Sequence, residues 1–145
     1  KNLLTQPDET VKLIREAEMT GRLFDSSALI NCVWLGRAAK TLGEYTIELV
    51  KLELGNYVWK RRSSLGYEES KNLLEKLLEL INLMNILHVD FLEALSIAVE
   101  ENITFYDSSY IQAAIQNNLE LVTDDLKLYN VARKYVEVLR SQDIR

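Results

Sequence analysis

The chain has 145 residues, 48% apolar and 27% charged, with a formal charge of −5. That length allows one domain with a real core, while the acidity gives no general attraction to nucleic acid, so such binding needs a local basic patch or metal ions. A single cysteine, Cys32, excludes an internal disulfide and a multi-cysteine zinc site, and a single histidine, His88, excludes a zinc site built on several histidines.

In chain order, "KNLLTQPDETVKLIREAE" (1–18) predicts an amphipathic helix. Pro7 suits its first helical position and Asp8 and Glu9 its first turn, and Gly21 stops it. Arg22–Phe24 is β-prone, Asp25-Ser26-Ser27 makes an acidic turn, and a helix is expected through about Thr41. "YTIEL" (45–49) predicts a short strand. Residues 50–62 predict a helix with Glu53, Asn56 or Tyr57, and Lys60 on one face.

Residues 68–85 give the clearest helical pattern. Leu74, Leu77, Leu78, Ile81 and Met84 form a stripe wide enough to serve a partner as well as a core. "ILHVD" (86–90) predicts a strand carrying His88, followed by a helix over 91–102 with Phe91, Leu92, Leu95, Ala98 and Val99 on one side. Asp107 is expected to cap a helix over 106–118. A strand "LELVT", a helix "LKLYNVARKY" and a last strand "VEVLR" complete the chain. Alternating strands and helices imply an α/β fold, a parallel β-sheet flanked by helices on both faces. Sites in such sheets form at the carboxyl ends of strands, near a change in strand order. No apolar run approaches the ~20 residues of a membrane span, and no signal-peptide pattern is present. The expectation is a cytoplasmic protein with no membrane partner and with Cys32 in its core.

The acidic residues fall where that frame matters. Asp25 follows the first strand, Asp125 follows "LELVT", Glu53 lies about a turn into the helix after "YTIEL", and Asp107 sits at a helix mouth. Each has a local explanation as a cap, turn or surface residue. Four carboxylates from separate segments in one cleft would repel one another, and some would stay protonated without a counter-charge. A hard divalent cation such as Mg2+ or Mn2+ relieves that cost through oxygen ligands. Such ions activate water and stabilise the leaving oxygen of a phosphodiester without a histidine base.

The segments "RLFDSSALI", "LELGNYVWK", "YDSSYIQAAI" and "LVTDDLKL" resemble, in order and spacing, the four acidic motifs of PIN-domain ribonucleases, particularly VapC-like toxins of toxin–antitoxin pairs. The resemblance runs from about Thr20 to the C-terminus. It implies a PIN-like α/β/α sandwich over 20–145, behind an N-terminal helical extension over 1–19. Members usually reach the first Asp within a few residues of the start; here Asp25 follows a helix-like segment, and "MTGRLFD" offers Met19 as a natural start. The resemblance implies metal-binding catalytic residues at Asp25, Glu53, Asp107 and Asp125, with Ser27, Asn56 and Thr123 supporting them. It further implies a Mg2+- or Mn2+-dependent endoribonuclease that leaves a 5′-phosphate, a homodimer, and an antitoxin whose tail fills the groove by the acids.

Asp124 is then expected to be a solvated turn residue. Glu48 and Asp90 are rival acids without the family context. Lys60, Arg61 and Arg62 form the densest basic run and are expected at a solvated helix end, while Trp34, Tyr57 and Trp59 are expected in a core or an interface. Two other functions compete: a non-catalytic PIN-like RNA-binding or assembly module, and a helical interaction protein built on the 68–85 stripe. The second leaves the four acids unexplained.

Overall fold

A computed structural model describes residues 21–145, so the predicted helix over 1–18 lies outside the described residues. Five short strands form one parallel sheet: β1 (Arg22–Phe24), β2 (Tyr45–Ile47), β3 (Asn85–Leu87), β4 (Glu120–Val122) and β5 (Val138–Leu139), in the order β3-β2-β1-β4-β5. Leu23 pairs with Tyr45 on one side and with Leu121 on the other, so β1 is central. The chain leaves β1 toward β2 and β3, then returns to lay β4 on the other side of β1. The order therefore switches between β1 and β4, and a crevice opens beyond their carboxyl ends.

Seven α-helices surround the sheet: α1 (Ser26–Trp34), α2 (Leu49–Lys60), α3 (Arg62–Leu65), α4 (Tyr67–Asn82), α5 (Phe91–Glu101), α6 (Phe105–Asn117) and α7 (Leu126–Ala132). Successive strand residues point to opposite faces, and this splits the core in two. Leu23 and Leu121 join Ile97, Tyr110, Ile111 and Leu128 from α5, α6 and α7. Phe24 and Val122 join Leu29, Cys32, Leu54 and Leu77 from α1, α2 and α4. The result is an α/β/α sandwich.

Several expectations change in detail. The helix expected from the acidic turn to Thr41 ends at Trp34, and Gly36 takes a left-handed φ of 71°. Only a short 3-10 turn follows at Ala38–Thr41. Glycine carries that φ without the Cβ clash other residues meet. The helix expected over 50–62 breaks at Arg61 into α2 and α3. In the α4 stripe, Leu77, Ile81 and Met84 are buried and Leu74 and Leu78 half-buried, so its width serves this chain's own core. His88 lies one residue beyond β3 and is exposed. Cys32 is buried, and burial pushes its thiol up to about 11, away from reactivity. Among the described residues no helix is long and apolar enough to cross a membrane.

Candidate active site

The crevice between β1 and β4 is built on Asp25. Its backbone N–H donates to the Val122 carbonyl at 3.1 Å, extending the β1–β4 ladder by one residue. Its side chain caps α1, with Oδ1 accepting from the Ala28 N–H at 2.9 Å. Ser27 Oγ donates to the same oxygen at 2.7 Å, and Thr123 Oγ1 donates to Oδ2 at 2.5 Å. The cap and the site position are thus one residue, fixed by the strand end behind it and the helix ahead. Asp25 is nevertheless buried, and loss of water raises its carboxyl to about 7 despite the bonds from Thr123, Ala28 and Ser27. The Glu53 charge adds to the rise.

The loop after β4 is tied to the same point. Thr123 is fully buried, and its hydroxyl also accepts from the Asp125 N–H at 3.1 Å. Ser27 Oγ accepts from the Asp124 N–H at 2.9 Å. Asp125 is exposed and caps α7 through the Leu128 N–H at 3.1 Å. Asp124 departs from its expected role as a solvated turn residue. Its carboxylate accepts from Asn31 Nδ2 at 2.7 Å, the Ser141 N–H at 2.9 Å and Arg140 Nε at 3.3 Å. Burial alone would raise this carboxyl, but the bonds from Ser141, Asn31 and Arg140 outweigh it and hold it below the ordinary value.

Glu53 stands on α2 and is half-buried. Asp107 does not cap its helix as expected. Thr104 does, accepting from the Asp107 N–H at 3.1 Å, so the Asp107 carboxylate is not engaged as the cap. Burial raises its carboxyl, and the charges of Asp125 and then Glu53 raise it further, against a smaller pull from Lys127. The four acids therefore share a field: Asp25 feels Glu53, and Asp107 feels Asp125 and Glu53. They do not converge on one point, because among the described residues no three His, Cys, Asp or Glu side chains stand in a ready ligand arrangement.

Residues 23–134 match the PIN domain. The chain belongs to the PIN-domain family. It is similar to Exonuclease VapC9 of Pyrobaculum aerophilum, with 32% identity over 94 residues, 63% of this chain and 69% of that protein. Its fold is similar to the crystal structure of PAE2754 from Pyrobaculum aerophilum, with a TM-score of 0.72 and 27% identity over 86% of this chain and 91% of the other.

One neighbour of Glu53 escaped the sequence reading. Tyr110 Oη donates to Glu53 Oε1 at 2.5 Å, which couples α6 to α2. The signal was present in "YDSSY", since a residue three places after Asp107 shares its helix face. Asn56 is exposed and, with Ser27, Glu53, Tyr57, Arg61 and Tyr106, lines a cleft of about 640 Å3 that runs from Glu53 along α2. The rivals fall away from the acidic set. Glu48 is exposed and pairs with Lys51 at 3.0 Å, and Asp90 caps α5 through the Glu93 N–H at 3.2 Å. Trp34 and Trp59 are exposed rather than part of this chain's core.

Proposed function

We propose that this PIN-domain protein is a divalent-metal-dependent endoribonuclease, the toxin of a toxin–antitoxin pair, acting as a homodimer on RNA and restrained by a cognate antitoxin. The observation that carries the reading is the bonding that gathers four acid-bearing segments near the sheet's switch point: Thr123 links Asp25 to the Asp125 N–H, and Tyr110 links Glu53 to the helix that carries Asp107. Nuclease activity also accords with the VapC9 relative, whose name gives it as an exonuclease.

The donor set fits Mg2+ or Mn2+. Asp25, Glu53, Asp107 and Asp125 offer carboxylate oxygens, Ser27 and Thr123 offer hydroxyls, and no nitrogen or sulfur ligand is among them. The buried Asp25 carboxyl, raised to about 7, is a group that a nearby positive charge would return to its ionised form. When bound, such an ion supplies charge neutralisation and an activated water. The chain's own work is orientation. Ser27 and Thr123 fix both oxygens of Asp25, Tyr110 fixes Glu53, and the Thr104 cap on the Asp107 N–H spares the Asp107 carboxylate from capping. The domain performing this work is assigned to residues 20–145, with 1–19 as an extension.

The experiment is cleavage of a labelled RNA with Mg2+ or Mn2+, repeated with chelator and with Asp25→Asn and Asp107→Asn. Loss of cleavage in all three arms with the fold intact supports the reading, and full activity in both variants defeats the residue assignment. A circular RNA distinguishes internal cleavage from attack at an end. The non-catalytic alternative draws on one observation, that no three acids form a ready ligand set among the described residues. A titration showing no divalent ion bound to the intact protein would favour it.

A further inference from the structure

The C-terminal turn of α2 carries an arrangement that its own stability does not explain. Tyr57 lies one turn after Glu53, and Arg61 one turn after Tyr57, so all three follow the same helix face away from the acids. The Arg61 guanidinium stands 3.7 Å above the Tyr57 ring centroid. On the other side, Trp34 Nε1 donates to Tyr57 Oη at 2.8 Å and fixes the ring from α1. Trp34 is 64% exposed, and Tyr106, across the same cleft, is 61% exposed. Lys60, Arg61 and Arg62 are consecutive cations in a chain of net charge −5.

We infer that the cleft beside Glu53 holds a single strand of RNA, with the Arg61–Tyr57 stack, its ring tethered by Trp34, as the platform for an unpaired base and its flanking phosphate. The inference rests on the nuclease reading for its substrate class and goes beyond it in naming where, and in what form, the strand lies. Arg61 is about 12 Å from Glu53 along the helix axis, so a strand cut at the acids continues over the stack. A planar guanidinium already held on a ring offers a face for a base and N–H groups for phosphate oxygens. Exposed rings favour unpaired bases, because a duplex keeps its base faces stacked on one another. The cations favour a phosphate backbone over an acid-poor protein segment.

The same helix turn supplies its own control. Arg62 sits 4.0 Å above Trp59, a similar stack, but neither residue lines the cleft. The test is fluorescence anisotropy with a labelled single-stranded oligoribonucleotide and its duplex, on the full Asp107→Asn chain in Mg2+, with a gel showing the RNA uncut. The single strand should bind about 10-fold more tightly than the duplex, and Arg61→Glu should lose about 10-fold or more of that binding. Arg61→Lys should recover the salt dependence but only part of the affinity, and Trp34→Ala should weaken binding without changing the salt slope. Arg62→Glu should cost distinctly less than Arg61→Glu. Arg61, Arg62 and Trp34 are exposed, and a thermal melt checks that each variant folds.

Equal losses at Arg61 and Arg62 would overturn the inference in favour of unspecific charge. Equal binding of strand and duplex would overturn it too. So would full RNA affinity in Arg61→Glu, which would leave the cleft to another occupant such as a protein segment. Its failure is separable from that of the nuclease reading. Stack-dependent binding by a wild-type chain that cannot cleave sinks only the enzyme, whereas metal-dependent cleavage with binding indifferent to Arg61 sinks only the platform.

Discussion

Tyr110 and Glu53, 57 positions apart, are joined by a 2.5 Å hydrogen bond from phenol to carboxylate. Tyr110 is buried, and its hydroxyl titrates well above the ordinary range, first from burial and then from the Glu53 charge, so it remains a donor at neutral pH. Tyr110→Phe keeps the ring in the core and removes only the proton donor. Stability should fall by about 1 kcal/mol, while cleavage and metal affinity should fall about 10–100-fold through the misoriented Glu53. Mg2+ dose–response curves beside urea melts check this. Wild-type cleavage by Tyr110→Phe would mean that the orientation of Glu53 does not matter.

Asp25 gives a pH dependence that can be read without metal. Its carboxyl titrates near 3.8 when solvated and at about 7 in the fold. Between those values the folded state binds the extra proton, so stability is full below pH 3.8 and is lost as pH rises through about 7. In chelator the protein should therefore be more stable at pH 5 than at pH 8, with a slope of at most about 1.4 kcal/mol per pH unit from this group. Asp25→Asn should flatten that slope and raise stability at pH 8 relative to wild type. Urea melts at intervals from pH 5 to 8 measure both, and a wild-type profile as flat as the variant's would contradict the burial argument.

The parts of this molecule legible in the sequence are those set by local pattern. Arg22–Phe24 and Glu120–Val122 read as strands because β-prone runs end at polar loops, and α4 reads as a helix because its leucines recur at helical spacing. What was hidden depends on tertiary partners. Asp107 looked like a cap because an acid stands at the start of its helix, yet Thr104 three places earlier supplies the cap. Asp124 reads as solvated because its partners Asn31, Arg140 and Ser141 lie 93, 16 and 17 positions away and reach it only through the fold. Trp34 and Trp59, expected in a core or an interface by residue type, are exposed on α1 and α2, which removes the core and leaves the interface. The approach of Asp25 to Thr123, 98 positions away, follows only once β4 is laid beside β1.

Asp124 and Asp125 are adjacent yet should respond oppositely to substitution. Asp124→Ala leaves Asn31, the Ser141 N–H and Arg140 without their acceptor, which should cost about 2–3 kcal/mol. Asp125→Asn keeps an oxygen to cap the Leu128 N–H, so stability should change by only a few tenths of a kcal/mol, since Asn and Asp cap about equally well. Cleavage should nevertheless be lost in Asp125→Asn, because a neutral amide replaces one of the four carboxylates proposed to hold the metal ion. Paired denaturant melts and cleavage assays read the contrast. A stable Asp124→Ala, or a fully active Asp125→Asn, would reverse the division of labour between the two residues.

The proposed homodimer has a face to test on α5. Phe91, Leu92, Leu95 and Val99 all point outward, with Leu92 80% and Val99 73% exposed. Ala94, Ile97 and Ala98 on the same helix are buried, so α5 is apolar on both its inner and its outer side. The outer side is not uniform, since Glu93, Ser96 and Glu100 are also exposed there, but an apolar patch of this kind in water favours association. The Phe91 ring also meets Phe105 edge-on, at 5.6 Å between centroids, which carries the apolar face to the start of α6. Leu92→Glu with Val99→Glu should leave folding intact, since both side chains are in solvent in the single chain. In light scattering at micromolar concentration the wild type should show the mass of two chains and the double variant the mass of one. A wild-type mass of one chain would remove the homodimer and leave the α5 face to a different partner.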